Sequence, residues 1–363
     1  MLRNRLAVLA ASVALIASIA ARAQAAGYLQ TNLVSDGVVP AVTTDPTLKN
    51  PWGIAFFPGQ SPFWVNDNNS GLSALYNGDG TIFTALPSVI IPSPSTATGG
   101  TPTGIVANTS AGSGAFPIGT SGPALFIFAT EDGTIEAWNL AIMNPGSAVI
   151  MVDNSSPKKK KGAVYKGLAL GMTASSQPQL YATNFRTGKI DVFDMNFNPV
   201  KLKKRAFRDR TIPDSFAPFG IQNIGGNLWV TYAKRNGAKH DPVSGPRRGF
   251  VDVFDGDGNL MQIFARRGAL NSPWGVALAP STFGTFMNDI LIGNFGDGAI
   301  NAFDPTSGSF LGAVSDSMGN PIVIDGLWTV TFGGALGSSV DTLYFSAGPN
   351  HEADGIFGTI TPN

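Results

Sequence analysis

The sequence predicts an all-β fold built from one repeated unit, and three observations carry that expectation. One phrase of four short apolar runs recurs along the chain at a spacing near fifty residues. Each run is rich in β-branched or aromatic residues and is bounded by Gly, Pro, Asn or Asp, the punctuation of antiparallel strands joined by tight turns. The composition also fits, with 44 Gly and 25 Pro in 363 residues, 43% hydrophobic and only 13% charged residues. Such a chain can bury a large core and has many turns without collagen periodicity.

The cleanest copy runs from Leu270 to Val314: L-N-S-P-W-G-V-A-L-A, then N-D-I-L-I-G-N-F, then G-D-G-A-I-N-A-F-D, then G-S-F-L-G-A-V. A Gly opening the first strand of each copy falls at Gly53, Gly104, Gly167, Gly220, Gly275 and Gly326, giving spacings of 51, 63, 53, 55 and 51. The longest spacing absorbs an insertion around Lys158–Lys161. Second strands follow at Phe63-Trp64-Val65, Leu125-Phe126-Ile127, Leu180-Tyr181-Ala182, Leu228-Trp229-Val230, Ile290-Leu291-Ile292 and Leu343-Tyr344-Phe345. Third strands follow Gly71, Gly133, Gly188, Gly249, Gly298 and Gly355, typically with the strict alternation of Lys189-Ile190-Asp191-Val192-Phe193. Six four-stranded units predict a six-bladed β-propeller, whose radial repetition leaves only short edges.

The ends of the chain fit a closed ring. The sixth copy stops just after its third strand, and Tyr28 to Val34 is a strand with no copy of its own. It is expected to supply the missing outer strand of blade six, because a linear array would expose edges at both ends. Before it, Arg3 and Arg5 precede an apolar run from Leu6 to Ala20, and Ala23-Gln24-Ala25 has the pattern of a cleavage site. Residues 1–25 therefore read as a secretory signal peptide, leaving residues 26–363 as one propeller domain, periplasmic or extracellular. No later stretch is apolar enough to span a membrane, and a monomer is expected.

Lys and Arg number 24, as do Asp and Glu. Removing residues 1–25, with three Arg and no acid, leaves 21 basic and 24 acidic residues, a net charge of −3 and no drive toward nucleic acid. There is no Cys, which excludes thiol chemistry and thiolate metal sites.

Long phrases carry a resemblance. N-P-W-G-I-A-F, F-A-T-E-D-G-T-I, V-Y-K-G-L-A-L-G, Y-A-T-N-F-R-T-G-K-I-D-V-F-D, A-P-F-G-I-Q-N-I-G-G and I-G-N-F-G-D-G-A-I-N-A-F-D resemble an uncharacterised bacterial family of exported propellers allied to NHL-repeat proteins. The likeness covers Asn32 to Thr361 and implies the fold but no activity. Some members carry a PEP-CTERM sorting tail, whereas this sequence ends Thr361-Pro362-Asn363.

First strands line the channel of a propeller, so register gives two rings at one mouth. The residue before each leading Gly gives Trp52, Thr103, Lys166, Phe219, Trp274 and Asp325. Of these, Trp52, Lys166, Phe219 and Trp274 are candidate channel-mouth ligand contacts, although aromatic residues at such a mouth are more often packing than a sugar platform. Four residues before the third-strand Gly stand Asp67, Ala129, Asn184 and Asn294. Asp67, Asn184, Asn294 and Asp325 present oxygen ligands that suit Ca²⁺. The set is similar to the mouth metal site of gluconolactonase-type propellers, and Asp325-Gly326 resembles their D-G ligand position. Against this, Trp52 and Trp274 stand where those enzymes can place Asn, Lys166 enters the ring as a competing cation, and Asp and Asn commonly cap turns.

His240 and His351 lie in insertions beside Asp241 and Glu352. His240, His351 and Glu352 are thus candidates for acid–base catalysis, with ordinary loop roles as the alternative. No G-x-S-x-G elbow, P-loop, H-E-x-x-H or EF-hand loop occurs. Basic runs at Lys158–Lys161 and from Lys201 to Arg210 read as solvated surface or as a contact for anionic glycan or lipid, the second run alternating along an expected outer strand. The sequence favours a binding scaffold for a protein, glycan or small molecule; a metal-dependent lactonase- or lyase-like enzyme is the alternative.

Overall fold

A computed structural model describes residues 27–95, 99–156 and 161–363. The expected signal peptide and Lys158–Lys160 of the first basic run lie outside them. The chain opens with β1 (Tyr28–Ser35) and the short β2 (Thr43–Thr44). Blade one is β3 (Pro51–Ala55), β4 (Phe63–Asp67), β5 (Leu72–Tyr76) and β6 (Ser88–Ile90). Blade two is β7 (Pro102–Ala107), β8 (Phe126–Thr130), β9 (Thr134–Trp138) and β10 (Val149–Asp153). Blade three has β11 (Tyr165–Met172), β12 (Pro178–Asn184) and β13 (Lys189–Phe193). Blade four is β14 (Phe216–Ile224), β15 (Asn227–Lys234), β16 (Phe250–Phe254) and β17 (Leu260–Arg266). Blade five is β18 (Pro273–Leu278), β19 (Ile290–Asn294), β20 (Ile300–Phe303) and β21 (Phe310–Ala313). Blade six joins β22 (Leu327–Phe332), β23 (Leu343–Ala347) and β24 (Ile356–Pro362) to β1 and β2.

The ring closes as the sequence predicts. β1 runs antiparallel to β24, from Tyr28 opposite Pro362 to Ser35 opposite Ile356. Tyr28 also ties this strand to blade five: its hydroxyl donates to the Phe283 carbonyl at 3.0 Å and its amide to that of Ser315 at 2.8 Å.

The recurring Gly has a steric cause. Adjacent inner strands approach so closely at the axis that a Cβ on Gly53 would lie 2.4 Å from the Thr103 carbonyl oxygen, and one on Gly220 2.0 Å from that of Trp274. Every inner strand also shifts register at this place, between Pro51 and Ile54 in blade one and at the matching step in the other five. These bulges re-aim the residue before the Gly, a common device beside binding sites. Apolar side chains of neighbouring blades fill the wedges between them. One such cluster joins Trp64, Phe126, Phe128 and Trp138 between blades one and two.

Two expectations of register need correction. In blade six the position matching Gly53 is Thr329 and that matching Trp52 is Trp328, since Leu327 pairs Ala347 as Pro51 pairs Asp67. Thr329 tolerates the close approach by donating its hydroxyl to the Trp52 carbonyl at 2.6 Å. Asp325-Gly326 therefore precedes the strand and lies outside the ring. Similarly, Thr130, not Ala129, faces Pro102 in blade two.

The outer strand expected from Val200 does not form. Pairing on β13 stops where the Val200 amide reaches the Val192 carbonyl at 2.8 Å, beside a single bridge between Phe193 and Pro199. Consecutive Lys203, Lys204 and Arg205 break the alternation, and the chain turns there, with the Ala206 amide on the Lys203 carbonyl. Phe207 then anchors it against Tyr181 and Phe254. The side-chain directions are nonetheless as expected. Lys201, Lys203 and Arg205 are exposed, while Val200 and Leu202 pack on the core.

Candidate functional site

The axis of the propeller is a solid aromatic plug. Trp52, Phe219, Trp274 and Trp328 occupy four of the six ring positions and are all buried. Trp52 stacks on Trp328 at 3.4 Å between ring centroids, and Trp274 meets both edge-on. Phe219 and Phe295 also pack against Trp328. The three candidate aromatic contacts thus pack into one buried cluster. Thr103 is consumed in bonds to the Ala129 and Tyr165 carbonyls.

Lys166 is the exception in this ring. Its side chain is 1% exposed, with the ammonium 4.9 Å above the Trp52 ring and 5.9 Å from Phe185. A charge so placed needs partners. Glu131 forms a direct ion pair with it, and Asp241 lies 3.8 Å away. His240 Nδ1 contacts Asp241 Oδ1 at 2.6 Å and stands 3.9 Å from Glu131. Glu131, His240 and Asp241 thereby form a compact group of potential ligand atoms.

These residues arrive from three alternate blades. Glu131 and Asp132 form the β8–β9 turn of blade two, and His240-Asp241 the β15–β16 insertion of blade four. The β23–β24 insertion of blade six supplies Glu352. There Asn350, His351 and Glu352 all hold positive φ, at 56°, 55° and 68°. Left-handed backbone costs roughly 1–2 kcal/mol per residue, and such outliers concentrate at functional sites. Asn50 Nδ2 donates to Glu352 Oε2 at 2.9 Å and Asn69 Nδ2 to its carbonyl at 2.6 Å, holding the turn against blade one. Asn68 Nδ2 donates to Glu131 Oε2 at 3.1 Å.

Burial raises the Glu352 carboxyl above its ordinary value, and repulsion from Glu131 and Asp241 adds to this, while the Asn50 hydrogen bond and Lys166 oppose it. Burial likewise raises Asp132. Asp241 is lowered, chiefly by its bond to His240. Two carboxylates, Glu131 and Asp241, thus reach the Lys166 ammonium, and a third, Glu352, lies within its field. His351 is exposed on the same turn as Glu352.

Of the four oxygen-bearing candidates, Asn184, Asn294 and Asp325 are each engaged separately. Asn184 donates to Asp191 at 2.9 Å, and Asn294 to Asp297 at 3.0 Å and to the Ala269 carbonyl at 2.8 Å. Asp325 accepts from the Asn350 amide at 2.9 Å. Asp67 is fully buried and its carboxyl has no hydrogen-bond partner; desolvation, with a smaller contribution from Asp45, raises it well above the carboxylate range. A Ca²⁺ held jointly by these four would need the hydrogen bonds of Asn184, Asn294 and Asp325 undone. The residues that do converge, Glu131, His240 and Asp241, lie in turns and insertions outside the repeat, although the E-D-G of blade two and the H-D of blade four were visible as local phrases.

The fold places the chain among six-bladed β-propellers. Its likeness to the soluble aldose sugar dehydrogenase of Escherichia coli has a TM-score of 0.54 at 12% identity, over 93% of this chain and 100% of that one. A glucose dehydrogenase gives a TM-score of 0.52 at 12% identity, over 92% and 99%. At such identities the likeness extends to the fold alone. No protein-family model matches. The chain is 33% identical over 341 residues to the uncharacterised protein L690 of Acanthamoeba polyphaga mimivirus, covering 90% of this chain and 84% of that protein. It is 31% identical over 334 residues to R648 of the same virus, covering 90% and 78%. The chain belongs to the family of these proteins.

Proposed function

We propose that the protein is an exported binding module whose channel mouth takes a small cationic ligand, an organic amine or a divalent cation. The observation that carries this reading is the convergence of Glu131 and Asp241 on the ammonium of Lys166, with His240 beside them and Glu352 within the same field. The carboxylates there outnumber the one ammonium, and Glu131 and Asp241 both repel charge on Glu352. A ligand ammonium or Ca²⁺ approaching from solvent meets the exposed Asp241 first, and the aromatic plug lies beneath. Calorimetric titration with putrescine and with CaCl₂ separates the two sources. Saturable binding of either, weakened at least tenfold by Asp241→Asn, supports the reading. Absence of binding by both at 10 mM overturns it. Export is tested by sequencing the N-terminus of the secreted protein, expected near Ala26.

The His240–Asp241 contact favours a second reading, in which the mouth is an acid–base enzyme. Asp241 orients the imidazole through Nδ1 and leaves Nε2 for proton transfer, while the raised Glu352 carboxyl is suited to proton donation. Turnover of a lactone panel, abolished by His240→Ala with the fold intact, would establish that reading over simple binding.

A further inference from the structure

Among the described residues, blade three has three paired strands where the other blades have at least four. We propose that the open edge of β13 is a strand-accepting site for an acidic, extended segment of a partner protein. The argument begins with backbone geometry. The Val192 carbonyl faces outward, because it accepts from the Val200 amide. Backbone groups two residues apart point to the same edge of a strand, so the N–H and C=O of Ile190 face that edge too. Among the described residues no strand pairs with them, since the chain's own candidate, Leu202 onward, has been drawn away by the Phe207 amide bonding to the Gly258 carbonyl at 2.8 Å.

Space is present as well. A cavity of about 470 Å³ lined by Asp191, Val192 and Pro199 and another of about 530 Å³ lined by Lys203, Phe207 and Arg208 meet at this edge. Both are bounded by Lys189, Ile190 and Leu202. Side chains of an added strand alternate between two faces and would enter both in turn. A row of unpaired backbone groups supplies affinity in such pairing, and the flanking cavities supply selectivity.

Charge identifies the partner. Lys189, Lys203, Lys204 and Arg208 line the second cavity and are exposed, against one acid, Asp214. Among the described residues none of the four basic groups takes part in an ion pair. Acidic side chains at alternate positions of an incoming strand would neutralise them, and basic ones would be repelled.

The test uses a blocked heptapeptide alternating Glu and Val, its Lys–Val counterpart and a sulfated oligosaccharide, with residue-resolved amide exchange. The Glu–Val peptide is expected to bind at least tenfold more tightly than the Lys–Val peptide and to slow exchange at the Ile190 amide at least tenfold. The exposed-site variant K203E/K204E/R208E is expected to reverse the preference with an unchanged melting temperature. Three results would overturn the proposal: no peptide binding at millimolar concentration, binding of peptide or oligosaccharide that leaves Ile190 exchange unchanged, or an Ile190 amide already protected in the free protein.

Discussion

Replacing Glu131 by Gln removes the charge that balances a nearly inaccessible ammonium while preserving side-chain shape. Stranding one member of a buried ion pair costs about 3–5 kcal/mol. Asp241 remains 3.8 Å from the ammonium, so the lower end, about 3 kcal/mol, is expected. Unfolding entropy of about 2.1 cal/mol/K per residue, over the chain from Gly27 to Asn363, gives roughly 0.7 kcal/mol/K and a fall in Tm of about 4 °C. Adding Lys166→Met should restore most of that loss, because the methionine fills the space beside Trp52 without a charge. Lys166→Met alone should cost less than Glu131→Gln, since Glu131 is 12% exposed and keeps its bond from Asn68. Urea unfolding of wild type, both single variants and the double variant measures the coupling directly. A Glu131→Gln loss below about 0.5 kcal/mol, or an additive double variant, would refute the claim that the mouth is organised on a buried charge.

Deleting residues 28–34 should leave β24 as an unpaired edge and cause aggregation or loss of the cooperative transition; a soluble variant with wild-type Tm would refute strand closure. Replacing Lys201, Lys203 and Arg205 together by Ser should change stability by no more than about 1 kcal/mol, as exposed charges contribute little; a loss of several kcal/mol in urea unfolding would place them in the core. Stability should fall as pH rises from about 5 to 8. Burial pushes the Glu136 carboxyl up to about 8 and that of Asp252 up to about 7, so the folded state holds protons that the unfolded state releases near pH 4. Glu136→Gln should flatten that slope, and urea midpoints at pH 5, 6.5 and 8 that are equal in wild type would contradict the assignment.

The repeat was legible because steric and pairing demands recur in each blade. Gly53 and Gly220 mark inner strands that nearly touch, and alternation at Ile190 and Val192 marks a buried face. Tyr28 to Val34 was legible as a leftover strand that only a ring can use. The sixth register was misread because Thr329 replaces the expected Gly with a hydroxyl that bonds to the neighbouring blade, and Asp325-Gly326 supplies a decoy three residues earlier. The missing outer strand of blade three was hidden by the alternation of Val200 and Leu202, which Phe207 overrides through tertiary packing. Lys166 was visible at the mouth, but its acidic partners were not assembled, because Glu131, Asp241 and Glu352 come from turns and insertions with no common period. The bulge that re-aims each ring residue has no sequence marker beyond the Gly itself.

The titration of Glu352 tests the account of the mouth most directly. Burial and the nearby charges of Glu131 and Asp241 hold its carboxyl above the ordinary glutamate value, and a bound cation would lower it by favouring the charged form. Carboxyl-carbon NMR on protein labelled at Glu, with Glu352→Gln to assign the resonance, gives the midpoint in free protein and with putrescine or CaCl₂. A raised midpoint in the free protein that moves down on addition of either cation is the predicted result. An ordinary midpoint unmoved by both would contradict a mouth built to hold positive charge.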